Sequence, residues 1–218
     1  SKRDYWMSVY QKIYLGDIVA RHRIENAFAL RFLFKNLSES IMQPTSFTRL
    51  ANLITSTGSK ISKVTVINYM DYAKEAYLIF PIKNIASHIA ERESNPKYYF
   101  VDNGIISLLT LNAEAALLEN MVALELLRRY GQDNQVFFYN DKVEVDFYIP
   151  ETATAIQVSL YPRESEETWS RETESLCRIG KHLPCDTRLL LTMNEEETVV
   201  VNGKTIQLLP VWKWMLSK

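Results

Sequence analysis

The sequence is short of the residues that staple, anchor or punctuate a chain. It has two cysteines, Cys177 and Cys185, in 218 residues. That excludes a disulfide scaffold, and their spacing is not that of a metal site, so a reducing, cytoplasmic setting is expected. Six glycines and seven prolines exclude low-complexity chain. No apolar run approaches the roughly 18 residues of a membrane span, so no membrane partner is expected. Ser1–Trp6 lacks the apolar core of a signal peptide. No initiating Met opens the chain, as in a cut fragment. The three histidines, His22, His88 and His182, lie far apart without metal-ligand spacing. There is no G-x-S-x-G. Gly58-Ser59-Lys60 lacks the first glycine of a phosphate loop and no strand precedes it, so no ATP site is expected in this chain.

What remains is ordinary globular composition, 47% hydrophobic and 23% charged, long enough for one large or two small domains. The net charge of -1 conceals an asymmetry. Residues 1–110 carry 14 Lys and Arg against 9 Asp and Glu, and the remainder 11 against 17. A basic first half and an acidic second half suggest two units with different partners.

Residues 1–26 form a lead-in, helical from about residue 5, with Tyr10, Ile13, Tyr14 and Ile18 at roughly helical spacing. Residues 27–103 form the first unit. Leu30, Leu33, Phe34, Leu37 and Ile41 predict a helix over Ala27–Ile41, with Pro44 beyond it. Ser46 caps a second helix over Phe47–Thr55, and Ser62 a third over Lys63–Ala76. Val64-Thr65-Val66-Ile67 is β-branched, but the stripe Val66, Met70, Ala73, Tyr77 favours helix. Tyr77–Ile82 and Lys97–Asp102 read as strands, joined by a polar link containing Lys83, His88, Arg92 and Glu93.

Three helices and a two-stranded ribbon are the plan of a winged helix, whose third helix can enter a DNA major groove. Lys60, Lys63, Thr65, Asn68 and Lys74 in or near that helix, with Lys83 and Lys97 in the arm, are donors suited to duplex DNA. The alternative is a packing unit, because Asp71 and Glu75 make the exposed face of the third helix mixed rather than basic.

Residues 104–218 form the second unit. Asn103-Gly104 reads as a turn and 104–112 as a linker or short helix. From Glu114 a helix apolar nearly all round runs to Gly131, its C-terminal cap. Val136–Tyr139 and Val143–Ile149 make a hairpin around Asn140-Asp141-Lys142, and Ala155–Leu160 is the next strand. A helix over Glu166–Gly180, a strand over Thr187–Thr192, a hairpin around Asn202-Gly203 and a helix over Pro210–Leu216 complete an α/β sandwich with a mixed sheet.

This order resembles the layout of metal-dependent nucleases of the PD-(D/E)-x-K class. There a helix gives a Glu, one strand an Asp, and the next strand Glu-x-Lys or Gln-x-Lys. The carboxylates hold magnesium, and the Lys orients the attacking water and offsets phosphate charge. The positions map to Glu119, Asp146, Gln157 and Ser159, with Glu119 and Asp146 as the metal candidates and Glu144 a third acid. Gln157 brings no charge and Ser159 no ammonium, so the site reads as degenerate. Glu119 and Asp146 would then be structural, hydrogen-bonded to Arg171 or Gln157. Arg171 is the basic residue best placed to replace the missing lysine.

Five segments carry a wider resemblance. Tyr14-Leu15-Gly16-Asp17-Ile18-Val19, Lys74-Glu75-Ala76-Tyr77-Leu78-Ile79, Tyr99-Phe100-Val101-Asp102-Asn103-Gly104, Leu118-Glu119-Asn120 and Glu144-Val145-Asp146-Phe147 resemble, in that order, the C-terminal region of prokaryotic AAA-type ATPases. The resemblance implies a winged helix followed by a restriction-endonuclease-like domain of unknown function. It also implies an N-terminal ATPase module, missing here, that would bind ATP and partner this region. The functional expectation is a regulatory or nucleic-acid-associated region that is not itself an enzyme. The alternatives are a protein-interaction platform that forms a homodimer and a residual magnesium-dependent DNA nuclease.

Overall fold

A computed structural model describes residues 1–86, 95–131 and 135–217, apart from the side chain of Leu15. The chain divides into two units, Ser1–Pro81 with Glu93–Ala113, and Ile82–Arg92 with Glu114–Lys218. No described helix is long and apolar enough to cross a membrane.

The first unit opens with α1, Lys2–Gln11, held by a capping box in which the Ser1 hydroxyl accepts from the Asp4 N–H and the Asp4 carboxylate accepts from the Ser1 amine. A π-helix over Lys12–Ala20 continues it. Tyr10, Tyr14 and Ile18 are buried along this lead-in, and the Tyr14 hydroxyl donates to the Ala27 carbonyl at 2.7 Å.

Helix α2 spans Ala27–Glu39, with the Asn26 side chain accepting from the Ala29 N–H at its start. Leu30, Leu33, Phe34 and Leu37 are buried, as their spacing predicts. Helix α3, Phe47–Ser56, is capped by Ser46, and α4, Lys63–Glu75, by Ser62. The β-branched run is helical because Val66, Met70 and Ala73 share one buried face.

Strand β1 is Ile79–Asn84, two residues later than the apolar pattern suggests. The Leu78 N–H bonds the Ala73 carbonyl and the Tyr77 N–H bonds that of Lys74, which is a Schellman cap. Tyr77 takes the left-handed position at φ 52° that glycine usually fills, so it belongs to the helix end and not to the strand. Strand β2 is Lys97–Phe100, buried throughout. His88, Arg92 and Glu93 of the expected link lie outside the described residues.

Asn103-Gly104 is not a free turn. It opens helix α5, Asn103–Leu109, whose Gly104 N–H donates to the Asp102 carboxylate at 2.6 Å. The Trp6 indole lies against Gly104, where a Cβ would come within 2.5 Å of the ring.

In the second unit, α6 spans Glu114–Tyr130 and ends at Gly131, φ 74°. The strands β3 (Phe137–Asn140), β4 (Glu144–Ile149) and β5 (Thr154–Val158) follow. Helix α7, Glu166–Arg178, passes into a 3-10 turn over Ile179–Lys181 rather than ending on a left-handed Gly180. Next come β6 (Thr187–Thr192), β7 (Glu197–Val201), β8 (Lys204–Pro210) and α8 (Val211–Leu216). Asn202 and Gly203 both have positive φ, as a type I′ hairpin requires.

The fold is mixed α/β, and the eight described strands are hydrogen-bonded in the order β2-β1-β3-β4-β5-β6-β8-β7. The β3–β4, β4–β5 and β7–β8 pairs are antiparallel, and the β1–β3, β5–β6 and β6–β8 pairs parallel. Leu176, Cys177 and Ile179 pack on Tyr148, Ala155, Leu190, Ile206 and Leu208, so α7 covers one face of this sheet.

Candidate functional site

The β4–β5 ladder runs from Ile149↔Thr154 to Phe147↔Ile156. One step further the register sets Asp146 opposite Gln157, and there side chains replace the backbone ladder. The Asp146 N–H donates to Gln157 Oε1 at 2.7 Å, and the Val158 N–H donates to Asp146 Oδ2 at 3.0 Å. The other end of the same amide is also engaged, because Gln157 Nε2 donates to Glu172 Oε2 at 2.7 Å. Arg171 completes the chain of contacts, its Nη2 lying 2.7 Å from Glu172 Oε1.

Two of these polar groups are deeply buried, Gln157 at 4% and Glu172 at 5% exposure. A buried carboxylate persists only with partners, and Glu172 has a guanidinium on one oxygen and an amide on the other. Burial pushes its carboxyl above the ordinary value. The Arg171 contact opposes that rise, and the nearby Asp146 charge adds to it. Arg171 is held above its usual value, first by its bond to Glu172 and further by the charges of Asp146 and Glu144. The structure therefore gathers Asp146, Gln157, Glu172 and Arg171, with Glu144 exposed at the start of β4.

Glu119 lies on α6 at 2% exposure. Ser159 follows β5, half-buried, and its N–H donates to the Leu191 carbonyl at 2.9 Å. Among the described residues, no three of His, Cys, Asp and Glu come together to hold a metal ion. Glu119 and Asp146 therefore do not share a three-acid ligand set with Glu144 or Glu172.

Glu172 is the residue sequence reasoning missed. It lies on the helical stripe Trp169, Glu172, Thr173, Leu176, an acid among apolar residues, as Glu119 is on the stripe with Val122, Ala123 and Leu126.

The expected nucleic-acid donors fall into both units. Lys60, Lys63 and Asn68 are exposed along α4 and its approach. Thr65 is half-buried, its hydroxyl 2.9 Å from Ser62 Oγ. Lys74 pairs with Asp71 at 2.7 Å. Lys83 is half-buried on β1, in the second unit. Lys97 is fully buried and cannot meet a phosphate, because every residue of β2 is packed.

Part of the outward face of α4 is also occupied. Thr65, Asn68, Tyr69 and Tyr72 line a cleft of about 330 Å³ with His22, Arg23, Ile24, Glu25 and Asn26. The His22 ring stacks on Tyr72 at 3.5 Å, with Nε2 3.8 Å from the Glu75 carboxylate.

Two curated relatives match nearly the whole chain. An uncharacterized protein of Methanocaldococcus jannaschii is 32% identical over 226 residues, covering 99% of this chain and 51% of its own. An uncharacterized protein of Haemophilus influenzae is 27% identical over 215 residues, covering 96% and 51%. The chain thus spans about half the length of the curated relatives it matches. No solved structure matches it. Residues 1–132 match a family described as a domain of unknown function, DUF8612. By that match the chain belongs to the DUF8612 family.

Proposed function

We propose that this chain is the C-terminal, nucleic-acid-associated regulatory region of a prokaryotic AAA-type ATPase, a winged helix followed by a restriction-endonuclease-like domain that no longer cleaves. The observation that carries the non-cleaving reading is the use of Gln157. In a working site this position turns an oxygen toward a metal. Here that oxygen accepts from the Asp146 backbone, and the amide nitrogen is bound to Glu172. Phosphate chemistry also needs a cation aimed at the developing charge. Arg171, the basic side chain beside Asp146, directs its Nε and Nη2 at Glu172 instead. The five matched segments, and relatives about twice as long as this chain, support the place beside an ATPase module. ATP belongs to that module in this reading, and no magnesium is assigned to this region.

Association with duplex DNA rests on Lys60, Lys63 and Asn68, exposed on and before α4. Fluorescence anisotropy with a short duplex at stepped salt tests it. Binding should weaken steeply as salt rises, and Lys60→Ala with Lys63→Ala should flatten the log–log slope by about 2. No binding even at low salt overturns it. That outcome favours a protein-interaction platform, the reading that the Asp71–Lys74 pair and the His22–Tyr72 stack on α4 support.

A further inference from the structure

We propose that two copies of this chain associate by antiparallel pairing of β7 with β7 of the second copy. The inference rests on the second unit alone and is independent of the nucleic-acid reading.

Strand β7 ends the order of described strands and pairs with β8 through an unbroken register from Glu197↔Leu208 to Val201↔Lys204. Open edges are usually blunted by lysine, proline or a bulge. Glu197-Thr198-Val199-Val200-Val201 has none of these, its one charge, Glu197, stands at its first residue, and Val200 is 71% exposed. The two-residue turn closes on the Val201↔Lys204 pair, so Val201, Val199 and Glu197 face β8 with their N–H and C=O groups. Thr198 and Val200 direct theirs to the open edge.

A twofold axis at Val199 makes that edge complementary to itself. Thr198 then faces Val200 of the second copy and exchanges both backbone bonds with it, twice by symmetry. The outer face sets a threonine against a valine, a favourable β-branched pair. Val199, which packs against the core below the sheet, meets its own counterpart on the axis.

Charge selects antiparallel over parallel pairing. In-register parallel strands would set Glu197 beside Glu197. Antiparallel pairing sets Glu197 opposite Val201 of the second copy, with Lys204 of that copy next across the same face. An acid end then meets a basic end at both limits of the interface. Arg163, which contacts Glu197 within its own chain, flanks the same end.

Sedimentation equilibrium of the whole chain tests this. The expected result is a concentration-dependent dimer. Val200→Pro removes an outward donor that β8 does not use and should reduce the mass to that of a monomer. Glu197→Lys and Lys204→Glu should each weaken the dimer about tenfold. An equimolar mixture of these two variants should restore it, because each heterodimer pairs lysine with glutamate at both ends. The mixture decides the question even where Val200→Pro fails to fold. A wild-type mass that stays monomeric at every concentration overturns the proposal. So does a dimer indifferent to the charge variants and their mixture.

Discussion

Gln157→Ala is the perturbation that reads the Asp146 cluster most sharply. The wild-type amide makes two short hydrogen bonds at 2.7 Å, one to the Asp146 backbone and one to Glu172, and is 4% exposed. Removing it orphans a backbone N–H one residue beyond the β4–β5 ladder. It also strips one donor from a buried carboxylate. An unsatisfied buried group costs about 1–3 kcal/mol, and a bond to a charged acceptor about 1.5–3 kcal/mol. Together they place the loss at about 3–5 kcal/mol. Urea unfolding followed by tryptophan fluorescence reports it, since Trp169, Trp212 and Trp214 all lie in the second unit. With a urea slope of about 3 kcal/mol/M, the midpoint should fall by about 1–1.7 M. A loss below about 1 kcal/mol would show that these two bonds do not stabilise β5 against β4 and α7 at Asp146.

Two further effects follow from buried charges. The Glu172 carboxyl is raised above its ordinary 4.5, so the folded state holds that proton more tightly than the unfolded chain does. Wild-type stability relative to Glu172→Gln is therefore greatest below pH 4.5 and declines as pH rises through the raised value; urea midpoints in which the wild type gains on Glu172→Gln as pH rises contradict this. Arg129 donates to the carbonyls of Trp214 at 2.8 Å and Ser217 at 3.0 Å, bonds the buried Glu125 at 2.6 Å and lies 4.5 Å over the Trp214 ring. Arg129→Ala should cost about 2–4 kcal/mol in the same assay, and Arg129→Lys should recover less than half, because one ammonium cannot fork between helix end and carboxylate.

Local rules made much of this fold legible. The stripe Leu30, Leu33, Phe34, Leu37 and the caps Ser46 and Ser62 mark their helices because periodicity and capping act within a few residues. Asn202-Gly203 marks its hairpin for the same reason. Misreadings arise where a less common local motif, or tertiary packing, overrides the usual preference. Tyr77 closes a helix in a position that glycine normally marks, so the strand after it seemed to begin too early. Asn103-Gly104 resembled a turn because the capping bond comes from Asp102, just before it. Lys97 resembled a phosphate donor, but its burial depends on what packs around β2.

The candidate site divides the same way. Asp146 and Gln157 face each other because strand register is fixed by neighbours in sequence. Glu172 reaches Gln157 from α7, and only the packing of that helix on the sheet brings it there.

The proposed loss of cleavage is tested most directly by incubating the chain with supercoiled plasmid and magnesium, beside Asp146→Ala. With Gln157 bonded to Asp146 and Glu172, and Arg171 directed at Glu172, the plasmid should remain supercoiled with both proteins. Magnesium-dependent nicking by the wild type that disappears in Asp146→Ala would contradict it.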